Sequence, residues 1–136
     1  MPDLAVQLRL TIVRTARRLR QEAGGELSPS LTAALSTIER HGPLTPGEVA
    51  SRERIQRPTV TRVLTRLEEQ GLIERMPDVR DRRSTLVTAS PAGRELLAAL
   101  RTRKTAFLAS RIERLSAEER ETLERAADML ERMLDE

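Results

Sequence analysis

The chain of 136 residues carries a formal net charge of +3 with 33% charged residues and 1% aromatic, Phe107 being its one aromatic side chain. The absence of cysteine and the single histidine, His41, exclude a disulfide framework, a thiolate metal site and a cysteine-based redox sensor. No apolar run approaches the roughly 20 residues that a membrane-spanning helix needs, and an aliphatic, arginine-rich chain with six glycines points to a mainly helical domain of one core.

In chain order, residues 4–22 predict a long helix. Leu4, Leu8, Ile12, Ala16 and Leu19 form one apolar stripe, and Val6, Leu10 and Val13 a second beside it. Arg9, Arg14, Arg17 and Arg18 run through the same segment at helical spacing, which does not suit a signal peptide, so a cytoplasmic location is expected. Gly24-Gly25 ends the helix. Ser28-Pro29 opens a second, through Leu31, Ala34, Leu35 and Ile38, with His41 at its C-terminal end facing the helix dipole. Thr45-Pro46 with Glu48 has capping-box spacing and begins a short third helix whose buried side is Val49 and Ala50.

The fourth helix, residues 58–70, places Val60, Val63, Leu64 and Leu67 at i, i+3, i+4 and i+7, one inward face. Its opposite face carries Arg62, Thr65 and Glu69, flanked by Thr61 and Arg66. Residues 72–76 and 84–88 read as paired strands around a basic tip, Asp78-Val79-Arg80-Asp81-Arg82-Arg83-Ser84. Ser90-Pro91 caps a long helix through Leu96, Leu97, Leu100, Phe107 and Ile112, with Phe107 expected in the core. Ser116 and Glu119 form another capping box and start the last helix, with Leu123, Ala126, Leu130, Met133 and Leu134.

The order of elements is that of a winged helix-turn-helix: mainly α with a small β-hairpin wing, and extra helices at both ends. A single chain of this length has little surface left to bury both end helices, so a two-fold homodimer is expected, with Leu4, Leu8, Ile12, Leu123, Leu130 and Leu134 in the interface. One domain spans 1–136, with the winged helix over 28–90 and dimerisation helices over 1–24 and 91–136.

Residues 52–83 hold nine arginines against six acidic residues, a net +3, whereas residues 115–136 hold three against eight, a net −5. The basic charge therefore sits where a duplex would be read. In the fourth helix Thr59 and Thr61 are expected to donate to phosphates or bases, and Arg62 to address a guanine edge. On the wing, Arg80, Asp81, Arg82 and Arg83 are expected to bind DNA, with Asp81 accepting from the Arg83 guanidinium and holding it in one pose suited to a narrow minor groove. Arg52, Arg54 and Arg57 either contact phosphates or are tied by Glu53 into surface ion pairs. No phosphate-binding glycine loop, metal-ligand spacing or framed carboxylate pair is present, and no enzyme, metal or cofactor is expected.

These residues resemble the MarR family of bacterial multiple-antibiotic-resistance-type regulators over nearly the full length. The most specific parts are residues 46–50, the run 57–75 that begins Arg57-Pro58-Thr59-Val60-Thr61-Arg62, the wing 78–84, Leu86-Val87-Thr88 and Ala92-Gly93. The resemblance implies a homodimer joined through its terminal helices on pseudo-palindromic operator DNA. Pro58, Thr59, Thr61, Arg62 and Arg66 would lie in or beside the major groove, and Arg83 in the minor groove. It also implies repression relieved by small, often phenolic or lipophilic, molecules, in a pocket whose residues vary too much to transfer. The cysteine of the peroxide-sensing branch is absent. An architectural, sequence-indifferent DNA binder and a winged-helix protein-interaction module are the alternatives.

Overall fold

A computed structural model describes residues 2–25 and 27–136. The elements run α1 (Pro2–Ala23), α2 (Pro29–His41), α3 (Pro46–Glu53), α4 (Arg57–Glu69), β1 (Ile73–Pro77), β2 (Thr85–Ala89), α5 (Pro91–Ile112) and α6 (Ala117–Asp135). The chain divides into two compact units, one over Ala23–Thr102 and one made of the chain up to Glu22 with Arg103–Glu136.

The first of these units is the winged helix. Ser28 caps α2 by accepting from the Leu31 N–H at 3.3 Å, and Thr45 and Glu48 close their capping box on α3. The inward stripe of α4 is buried as its spacing requires, against Leu35, Ile38 and Val49. The antiparallel hairpin pairs Ile73 with Ala89 and Pro77 with Thr85. Each strand begins one residue later than expected, because turns hold the first residue. Leu72 N–H donates to the Leu67 carbonyl at 2.9 Å and Ser84 N–H to the Asp81 carbonyl at 3.0 Å.

Two tie points went unforeseen. Leu44 exchanges both backbone hydrogen bonds with Val87, at 3.1 and 2.7 Å, joining the α2–α3 turn to the wing. Ser90 is buried; its hydroxyl donates to the Gly71 carbonyl at 2.6 Å and accepts from the Gly93 N–H at 3.1 Å, joining the end of α4 to the start of α5. Because Ala23, Leu97 and Leu100 are also buried, the compact unit extends beyond 28–90 at both ends.

The second unit has the opposite character. None of its described side chains is buried. Leu4, Ile12, Leu123 and Leu134 are exposed, and Leu8 and Leu130 half-buried. Phe107 is not the core residue the sequence suggested: it is half-buried, with the Arg18 and Arg111 guanidinium carbons 5.4 and 4.9 Å from its ring centroid. Ser116 and Glu119 do cap α6 reciprocally, and the bonds from Ser116 hold the Glu119 carboxyl below its ordinary value of 4.5. Among the described residues no helix is long and apolar enough to cross a membrane.

Candidate nucleic-acid interface

With Val60, Val63, Leu64 and Leu67 turned inward, α4 must turn Thr61, Arg62, Thr65 and Arg66 outward, and all four are exposed. The helix starts at Arg57, one residue earlier than expected, which puts Pro58 at its second position, exposed. Its N-cap, Gln56, makes no side-chain capping bond. The first turn is thus left without a protein side chain on its N–H groups.

The threonines differ from expectation. The Thr61 hydroxyl donates to the Arg57 carbonyl at 3.1 Å and the Thr65 hydroxyl to the Thr61 carbonyl at 2.8 Å. Their protons are spent inside the helix, so what they offer outward is an acceptor oxygen and a methyl group. That suits an adenine or cytosine amino group or a thymine methyl, not a phosphate. Thr59 is half-buried and lines a cleft of about 250 Å³ with Ser28, Ser30, Leu31, Arg62 and Arg66.

The wing is organised by a residue that the sequence did not mark. Asp78, only 5% exposed, accepts from the Arg80 N–H at 3.0 Å, while its own carbonyl accepts from the Asp81 N–H at 3.2 Å. Its carboxylate also lies 3.5 Å from the Arg80 Nε, so Arg80 is tied back to the loop it belongs to. Asp81 acts in the same way one turn on. Its Oδ1 accepts from the backbone N–H of Arg83 at 3.0 Å, and no ion pair forms with the Arg83 guanidinium. The expected side-chain clamp is therefore a backbone clamp, and the Arg83 charge is left whole. A recognisable signal existed, since Asp followed two residues later by a free N–H is an Asx-turn pattern.

Glu53 resolves the alternative left open for its neighbours: its carboxylate accepts from the Thr37 hydroxyl at 3.0 Å rather than pairing with an arginine. Arg52 lies in the last turn of α3, and Arg54 caps it in the left-handed region at φ 54°. Among the described residues, Arg52, Arg54, Arg57, Arg62, Arg66, Arg82 and Arg83 make no ion pair, whereas Arg75 and Arg101 are paired with Glu68 and Glu39 at 2.6 and 2.9 Å. Arg57 and Arg83 share a cleft with Thr45, Gly47 and Asp81, so the start of α4 and the wing converge there. No cluster of three or more metal-ligating side chains occurs among the described residues.

An outward arginine–threonine helix beside an arginine-tipped hairpin defines a winged helix-turn-helix protein, and comparison with known proteins narrows the class. Residues 27–85 match the MarR family. An HTH-type transcriptional regulator of Mycobacterium tuberculosis is 38% identical over 134 residues, covering 98% of this chain and 94% of that protein. A Pseudomonas aeruginosa crystal structure described as a transcriptional regulator is 32% identical with a TM-score of 0.88, over 98% of this chain and 96% of that one. A Staphylococcus aureus MepR mutant bound to an oligodeoxyribonucleotide shares the fold at 21% identity and a TM-score of 0.75, over 96% and 97%. The chain belongs to the MarR family and is a helix-turn-helix transcriptional regulator, not an enzyme.

Proposed function

We propose that this protein is a cytoplasmic, sequence-specific DNA-binding repressor that acts as a homodimer on a pseudo-palindromic operator. In each protomer α4 reads the major groove through Arg62, Thr61, Thr65 and Arg66, with Pro58 and Thr59 at the groove edge. The wing enters the adjacent minor groove through Arg83 and Arg82, and Arg57 holds a phosphate. The observation that carries this reading is the division among the arginines. Within the winged-helix unit Arg75 and Arg101, which tie elements together, are paired with carboxylates, and Arg57, Arg62, Arg66, Arg82 and Arg83 are not. Uncompensated charge on a reading helix and a wing is what a polyanionic partner neutralises.

The dimer rests on the second unit, which buries none of its described side chains and so lacks a core of its own. Repression, and its relief by a small phenolic or lipophilic molecule, rest on family membership. An effector that empties a nearly full operator must favour the non-binding form by about 5.5 kcal/mol.

Duplexes selected by the protein from a random pool, with anisotropy titrations at physiological salt, test the reading. Arg62→Ala should lose about 1–3 kcal/mol and relax preference at one base position. A loss spread evenly over all sequences would instead mark an architectural binder, and an undiminished Arg83→Ala variant an interaction module.

A further inference from the structure

Gly47, the second residue of α3, stands where the Arg57 guanidinium lies. A Cβ at position 47 would stand 3.5 Å from Arg57 Cζ, 3.8 Å from Nε and only 2.8 Å from Nη2, this last closer than side chains pack. The Arg57 guanidinium therefore rests against the first turn of α3, in space that any other residue at 47 would fill. The cleft is also lined by Arg83, with its backbone fixed by Asp81, and by the hydroxyl-bearing residues Thr45, Ser84 and Thr85. The cleft holds about 350 Å³, roughly ten water volumes, room for one phosphate group with its hydration. Asp81 is its one acidic lining residue, and two guanidinium groups leave it net positive.

We infer that this notch seats a single DNA backbone phosphodiester between Arg57 and Arg83, at the rim of the minor groove that the wing enters, and that Gly47 is the positioning residue that makes room for Arg57. The inference rests on the DNA-binding reading above and adds a location and a cause to it. A phosphate held from both sides, by the start of the reading helix and by the wing, couples the placement of the two. Charge-assisted bonds from two guanidinium groups suit a tetrahedral anion. Gly47 itself need not touch DNA. Its contribution is the missing side chain.

The colliding atom is the tip of a flexible side chain, and Gly47 has no positive φ. Gly47→Ala should therefore leave the fold intact while displacing Arg57, and alanine favours the helix. Because phosphate contacts carry no sequence information, a labelled duplex of mixed sequence spanning two helical turns serves as the probe. Binding is followed by anisotropy between about 50 and 200 mM salt, where each lost phosphate contact flattens the log–log slope by about 0.9.

The melting temperature of Gly47→Ala should equal or exceed that of the wild type. Its affinity should fall about five- to tenfold for each notch engaged, with the flatter slope. Arg57→Ala should show the same loss, and adding Gly47→Ala to it should cost nothing more. A Gly47→Ala protein that binds with wild-type affinity and slope overturns the inference while the DNA-binding reading stands. So does a double variant weaker than Arg57→Ala, because Gly47 would then act by another route. A wild-type protein that binds no duplex at any salt removes both.

Discussion

Asp81 shows how one side chain sets the electrostatics of the wing. A carboxylate that paired with the Arg83 guanidinium would orient it but cancel part of its charge. Because Asp81 spends its Oδ1 on the Arg83 N–H, it fixes the backbone and leaves the guanidinium to its ligand. The two arrangements respond differently to substitution. Asp81→Asn keeps an acceptor oxygen and should bind DNA within a few tenths of a kcal/mol of the wild type; Asp81→Ala, which has none, should lose about 0.5–1.5 kcal/mol through a looser loop. Comparable losses in both variants, measured by titration against one duplex, would return the role to the ionic charge. The threonines teach the same lesson. Thr61 and Thr65 were readable as outward residues because helical period places them, but not as spent donors, since only the backbone four residues earlier takes their protons.

Among the elements, α4 was the most legible. Four apolar residues at helical spacing allow one inward face, and that face decides which side chains point out. The caps at Ser28, Thr45 and Ser116 were equally plain, because each is a local pattern of two or three residues. What stayed hidden were contacts between segments distant in sequence: Leu44 with Val87, Ser90 with Gly71, and the Arg57 guanidinium against Gly47. Gly93 belongs with these. A Cβ there would collide with the Leu72 carbonyl and stand 3.2 Å from Leu35 Cδ1, so α5 can approach the base of the wing only through a glycine. Gly93→Ala puts its methyl against backbone and core rather than against a mobile side-chain tip. It should destabilise the fold by about 1–3 kcal/mol in denaturant titration. The contrast with Gly47→Ala, which should not lower stability, separates a packing glycine from a site glycine.

For the whole molecule, the two units divide the physical tasks. The winged-helix unit holds every buried described residue of the chain, while the other leaves Leu4, Val6, Ile12, Leu123, Met133 and Leu134 exposed. Apolar helices without a core of their own need a partner, and a second copy would also supply the second reader. Two α4 helices on one face of a duplex must lie about 34 Å apart, one helical turn. Hydroxyl-radical footprinting of the selected duplex, with the complex sized by analytical ultracentrifugation, measures spacing and stoichiometry together. The account predicts two chains per duplex and two protected segments one turn apart on the same face. A single chain bound to a single protected segment would contradict it.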